Sequence, residues 1–192
     1  MLDPLACAAF LILAFVLAGS AQTTWLASRF SRRLAIPLDL GRTYRGRRIF
    51  GDNKTLRGFV VMVPAAGASF LLLGSLAARH PDLSLRLWPL GPSSYALLGL
   101  WAGLGFMLGE LPNSFLKRQL GIPPAGAPER TPLKPIFFLV DRLDSIVGML
   151  VAVSLAVPIP WRTWLYVALV GPLIHWSFSL ALYGLRVKER PA

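Results

Sequence analysis

The sequence predicts an all-α integral membrane protein of about five transmembrane helices, with the N-terminus outside and the C-terminus cytoplasmic. Three observations carry that expectation. The 192 residues are 55% hydrophobic and only 15% charged, too apolar a balance for a soluble domain. The apolar residues fall into five stretches, about 4–27, 58–78, 94–116, 135–156 and 161–184, each near the roughly 20 residues that a hydrocarbon core of about 30 Å requires. The third is the distribution of charge. Arg29, Arg32, Arg33, Arg42, Arg45, Arg47, Arg48, Lys54, Arg57, Lys117, Arg118, Arg130, Lys134, Arg186, Lys188 and Arg190 all fall on one side of such a bundle. Only Arg79, Arg86 and Arg162 fall on the other. The positive-inside rule makes the rich side cytoplasmic, and an odd helix count agrees.

Taken in order, the first stretch carries Asp3 and no Lys or Arg at its start, and its apolar run is long, so it reads as a retained helix and not a cleaved signal. Cys7 lies inside it and, as the only cysteine, rules out an internal disulfide. The cytoplasmic segment 28–57 follows and ends in Gly51-Asp52-Asn53-Lys54-Thr55-Leu56-Arg57-Gly58. Two glycines there permit close backbone approach, Lys54 and Arg57 supply charge, and Thr55 is placed to cap the second helix, whose N-terminus attracts anions. The spacing is not that of a Walker loop.

The third helix brings Glu110 and Pro112, and a proline at that place removes a backbone hydrogen bond and can kink the helix. The second cytoplasmic segment, 117–134, is rich in proline and glycine and reads as irregular. The fourth helix brings Asp141, Arg142 and Asp144. His80 falls in an outer loop and His175 beside Trp176 in the last helix, where packing or interfacial roles are expected. Trp25, Trp88, Trp161 and Trp164 stand near helix ends, as aromatic belts do. No repeat divides the chain, so residues 1–192 form one membrane domain.

Ionisable groups inside transmembrane segments cost about 3 kcal/mol each, so they face a bundle interior or a wet cavity and mark function. Glu110 lies seven residues before Lys117, and Asp141 seven after Lys134. At 1.5 Å per residue both carboxylates are expected about 10 Å below the cytoplasmic edge, on antiparallel neighbours. Asp141 and Asp144 share a helix face. Three converging carboxylates need a balancing cation, for which Mg²⁺ is suited because it accepts few carboxylates alongside substrate phosphates. Alternatively, Arg142 and nearby basic residues pair with these acids and hold helices together. Lys117 and Arg118 lie within a turn of Ser114 and can point at anionic phosphate. The +11 net charge of the chain follows the membrane faces and does not indicate nucleic acid.

Together, Gly109-Glu110-Leu111-Pro112-Asn113-Ser114-Phe115-Leu116-Lys117-Arg118, Gly121-Ile122 and Asp141-Arg142-Leu143-Asp144 resemble the CDP-archaeol synthase family, short relatives of the phosphatidate cytidylyltransferases. The Gly51 to Gly58 segment is similar to that family's loop before its second helix. Where the larger bacterial enzymes carry Asp, this chain has Glu110, and their Lys-Asp and His-Gly-Gly elements are missing, so the shorter archaeal pattern fits better.

The resemblance implies transfer of CMP from CTP to a lipid phosphate, archaetidic or phosphatidic acid in type, with release of pyrophosphate. It implies metal binding by Glu110, Asp141 and Asp144, which with Lys117 form the catalytic set. It further implies phosphate binding by Lys117, Arg118, Lys54 and Arg57, and orienting or substrate-binding roles for Ser114, Asn113, Asn53, Thr55 and Arg142. The implied setting is the cell membrane, with the active site facing the cytoplasm. A homodimer is expected because five helices alone enclose an amphipathic substrate poorly. A transporter or flippase of an anionic lipid would use the same buried acids and basic rims, although the absence of a repeat speaks against it.

Overall fold

In the computed structural model, which describes residues 1–123 and 134–185, five long helices follow the predicted order. They are α1 (Pro4–Ala27), α2 (Leu56–Ala78), α4 (Pro92–Gln119), α5 (Lys134–Ala156) and α6 (Trp161–Gly184), with the short α3 (Pro81–Ser84) between α2 and α4. Among the described residues α1, α2, α4 and α6 are long and apolar enough to cross a membrane. Of similar length, α5 carries Asp141, Arg142 and Asp144 in its first half. Pro112 lies within α4, which continues through it. Lys117 and Arg118, expected at the start of a loop, belong to the last turn of α4, and residues 124–133 of that loop lie outside the described residues.

The helices close a ring in which α1 packs on α2, α2 on α4, α4 on α5, α5 on α6, and α6 back on α1. Lipid offers little hydrophobic drive for helix association, so close backbone approach at small residues does that work. Between α2 and α4, Gly99 lies against the Ala66 carbonyl and Phe70, and Gly103 against Ala66 and Val63. Between α4 and α5, Gly105 and Gly109 lie against Gly148. Leucines 165, 169 and 173 of α6 face outward, as lipid-facing side chains must.

One end of the ring is sealed. Phe10 packs edge-on to Phe70, with centroids 5.2 Å apart, and stands beside Trp88 and Tyr95. Trp88 Nε1 donates to the Pro158 carbonyl at 2.8 Å, Tyr95 Oη to the Trp88 carbonyl at 2.8 Å, and Thr163 Oγ1 to the Pro4 carbonyl at 3.0 Å. Asp3 caps α1 by accepting from Leu5 N at 2.8 Å, and its own amide donates to the Arg86 carbonyl at 2.9 Å.

At the other end the segment between α1 and α2 is more ordered than an irregular loop. It holds a 3₁₀ turn (Phe30–Leu34) and an antiparallel ribbon of β1 (Thr43–Tyr44) and β2 (Arg47–Arg48). The ribbon leans on the end of α4. Tyr44 stacks near Phe115 with centroids 5.8 Å apart, the Arg47 guanidinium donates to the Gln119 carbonyl, and Gln119 Nε2 donates to the Arg48 carbonyl at 3.4 Å.

Candidate active site

The site begins with the glycine seam between α4 and α5. Because Gly109 and Gly148 carry no Cβ, the two backbones touch, and polar side chains a turn away bond directly across the interface. Asn113 Nδ2 donates to Asp141 Oδ1 at 2.6 Å and to Asp144 Oδ2 at 2.9 Å. Lys117 Nζ lies 2.5 Å from both oxygens of Asp141 and 5.7 Å from the Phe137 ring centroid. Ser145 Oγ donates to Glu110 Oε1 at 2.7 Å and lies 3.2 Å from Asp144 Oδ1, which also accepts the Ser145 amide at 2.7 Å. From α2's approach, Lys54 Nζ pairs with Glu110 Oε2.

The acids therefore form a chain of bonds. Lys54, Glu110, Ser145, Asp144, Asn113, Asp141 and Lys117 follow one another, alternating sign or donor and acceptor. Glu110 and Asp141, expected at the same depth, are offset by about a turn. Glu110 faces Ser145, and Asp141 faces Asn113 and Lys117. Among the described residues no three acidic or imidazole groups gather as a ready ligand set, because Lys54 draws Glu110 to one end of the chain. The expected convergence is corrected to that extent. A cation still fits the donor set at the middle. Asn113 Oδ1 is buried without a hydrogen-bond partner among the described residues, beside two carboxylates, and such an orphaned acceptor is rare unless an ion or water completes it.

Arg142 departs from both readings made for it. It turns back on its own helix, donating from Nη1 to the Phe138 carbonyl at 2.7 Å with its guanidinium carbon 3.3 Å from the Phe138 ring centroid. Arg118 is 7% exposed, donates from Nη1 to the Ile122 carbonyl at 2.5 Å, and leaves Nε without a partner among the described residues. Ser114 is buried beside it. Thr55 is the N-cap residue of α2, but its hydroxyl makes no capping bond, and its backbone instead bridges to Pro37.

A cavity of about 650 Å³ opens inside the helix ring. Asn53, Lys54, Thr55, Arg57 and Glu110 line its polar end, and its walls run past Phe59, Phe106 and Ile174 to Leu11, Met149 and Val167 against the sealed core. The predicted residues thus divide in two. Those of the Gly51–Gly58 segment and Glu110 face the cavity, while Asn113, Lys117, Asp141 and Asp144 lie across Glu110 in the α4–α5 seam. Burial by itself would lower the Lys54 pKa, but the Glu110 carboxylate, with Asp144 and Asp141 behind it, outweighs that effect and raises it.

Three contributors were not visible in the motifs. His175, expected to pack or to stand at an interface, lines the cavity from α6. Ser145 joins two acids. Asp39, whose side chain is fully buried, accepts from Gly51 N at 2.9 Å, Phe50 N at 3.0 Å, Gly41 N at 3.1 Å and Arg48 Nη2 at 2.6 Å. Burial pushes its carboxyl up, but Arg48 and the three amides outweigh that and hold it well below the usual carboxylate range. An Asp inside a basic loop was the only signal available.

The profile described as CarS-like CDP-archaeol synthase matches residues 34–192. The chain belongs to the CDP-archaeol synthase family. CDP-archaeol synthase of Methanospirillum hungatei is 33% identical over 164 residues, covering 81% of this chain and 89% of its own. That of Pyrobaculum arsenaticum is 33% identical over 178 residues and covers 92% of both chains. Among solved structures, one described as an intramembrane enzyme for archaeal membrane lipids biosynthesis aligns with a TM-score of 0.55 at 24% identity, covering 86% of this chain and 90% of its own. That likeness speaks for the fold.

Proposed function

We propose that the chain is a CTP-dependent cytidylyltransferase that converts a lipid phosphate of the archaetidic acid class to a CDP-lipid, releasing pyrophosphate. The observation that carries this reading is a chain of three carboxylates bridged by Ser145 and Asn113 and ended by a lysine on each side, which starts at the polar end of a largely apolar cavity and runs into the α4–α5 seam. The cavity suits an amphipathic phosphate, and the seam beside it supplies Lys117 and two carboxylates that a cation would bridge to a nucleotide. Family membership supplies the reaction class.

In the proposed reaction an oxygen of the lipid phosphate attacks the α-phosphorus of CTP. A P–O bond forms there, the bond from the α-phosphorus to the bridging oxygen breaks, and pyrophosphate leaves with the electron pair. Positioning and charge neutralisation suffice for such a displacement, and no side-chain nucleophile is needed. Lys54 and Arg57 would meet the lipid phosphate at the cavity mouth, with Asn53 and Thr55 beside them. Lys117 and Arg118 would stabilise charge growing on the leaving pyrophosphate, with Ser114 and Asn113 orienting the nucleotide. Arg142, turned onto Phe138, leaves the substrate-binding set. Asp141 and Asp144, with the Asn113 amide oxygen, would hold Mg²⁺, and Glu110 would join them once phosphate takes Lys54. Bound Mg²⁺ supplies neutralisation of the triphosphate.

The excess of basic residues around this end supports a cytoplasmic mouth in the cell membrane, with α5 as the fifth span. Asp141 and Asp144 face the seam, and Arg142 is folded onto Phe138. The test is purified protein in detergent with labelled CTP, Mg²⁺ and a panel of ether- and ester-linked lipid phosphates. CDP-lipid and pyrophosphate are expected in equal amounts. Product should disappear with EDTA and fall at least about 10²-fold in Asp144→Asn. Lipid movement across vesicles without CTP consumption would refute the reading in favour of a transporter.

A further inference from the structure

We infer that Asp39 is a positioning residue that aims Lys54 into the cavity through the backbone of its loop. The geometry is specific. Residues 39–51 form a loop whose neck is closed by one carboxylate, with both oxygens of Asp39 used: Oδ2 takes the Phe50 and Gly51 amides, and Oδ1 takes the Gly41 amide and the Arg48 guanidinium. Just outside the neck the two strands of chain are zipped by Leu38 N to the Lys54 carbonyl at 2.9 Å and Leu56 N to the Ile36 carbonyl at 2.9 Å. Lys54 therefore leaves a backbone held on both sides. Gly51 completes the arrangement, since its φ of 92° lies where a side chain would be strained. Arg48 also reaches Asp52 at 2.8 Å, and its carbonyl is held by Gln119, so the neck is tied to the end of α4 that carries Lys117.

A lysine has four rotatable bonds and a mobile ammonium group, and by itself specifies no geometry. Burial of Asp39 with every acceptor direction used supplies the fixed base from which the Lys54 side chain reaches Glu110. A carboxylate that merely stabilised the loop would not need to act through one lysine. The inference rests on the proposal that Lys54 meets a substrate phosphate, but its first readout does not.

The experiment labels the full chain in detergent with an amine-reactive ester and quantifies modification at Lys54 and Lys117 by mass spectrometry. In Asp39→Asn, Lys54 is expected to label about fivefold faster while Lys117 stays within about twofold, as local and not global opening predicts. Gly51→Ala, which strains the same neck from the backbone side, should reproduce the pattern if Asp39→Asn does not fold. In the CDP-lipid assay Asp39→Asn should lower kcat/KM about tenfold in the wild-type background and less than twofold in a Lys54→Gln background. Equal losses in both backgrounds, unchanged labelling of Lys54, or parallel increases at both lysines would each overturn the inference. Lys54-specific labelling in a protein that makes no CDP-lipid would uphold the positioning role while sinking the proposed reaction.

Discussion

Gly148→Ala tests whether the seam between α4 and α5 sets the geometry of the site. A Cβ on Gly148 would stand 2.6 Å from Gly109 Cα and 3.0 Å from Gly109 N, and it would also meet the Gly105 carbonyl. These are backbone atoms and cannot swing aside. Ordinary contact begins near 3.4 Å, so to clear the Gly105 carbonyl the helices must part by about 1 Å or shear by as much, at a stability cost of about 1–3 kcal/mol. The bonds that cross this seam are short, 2.6 Å and 2.9 Å from Asn113 to the two aspartates and 2.7 Å from Ser145 to Glu110. Opening by that amount stretches all three beyond about 3.5 Å, where little of a hydrogen bond remains.

Misplacement on this scale lowers catalysis by roughly 10²-fold when positioning is the main contribution. The assay is CDP-lipid formation at saturating CTP and lipid phosphate, alongside the thermal midpoint in detergent. Gly184→Ala is the control, because a Cβ there meets nothing within 4 Å among the described residues. Wild-type kcat in a folded Gly148→Ala protein would refute the reasoning, since the site would then tolerate a seam of different width.

Three further outcomes are expected. Ile174→Trp narrows the apolar part of the cavity and should raise KM for a long-chain lipid phosphate about tenfold while leaving KM for CTP unchanged; an equal rise in both would place the lipid elsewhere. Glu110→Gln strips the Lys54 ammonium of its counter-charge and leaves it half-buried and unpaired, so the thermal midpoint in detergent should fall by several degrees along with product formation. The depressed Asp39 carboxyl contributes stability that is complete above its unfolded value near 3.9 and is lost only as pH falls through the lower folded value. The difference in thermal midpoint between wild type and Asp39→Asn should therefore hold from pH 8 to pH 5 and shrink only in strong acid. Its disappearance between pH 8 and pH 6 would contradict the buried, ion-paired carboxylate.

Much of the architecture could be read from the chain because membrane helices announce themselves by length and polarity. The five stretches match α1, α2, α4, α5 and α6 to within three residues at every end. Pro112 removes a single backbone bond without ending α4. The site was legible as residue types but not as a constellation. Depth counting placed Glu110 opposite Asp141, whereas the offset of two helices touching at Gly109 and Gly148 moves Glu110 down to Ser145. Charge pattern suggested that Arg142 serves the acids, yet a ring one turn away, Phe138, holds it instead. Asp39 escaped notice because a lone acid in a loop of arginines looks like solvated surface until the chain folds back over it.

From the sequence alone came what depends on local composition: where the long apolar helices run, which loops are basic, and which few charged residues lie inside those helices. Tertiary structure alone decided which of those charges meet. Pairing across helices depends on rotation and register, and both are set by where small residues let backbones touch. The cavity, its sealed far end and the neck that holds Lys54 likewise exist only once five helices and one loop, distant in the chain, are packed together.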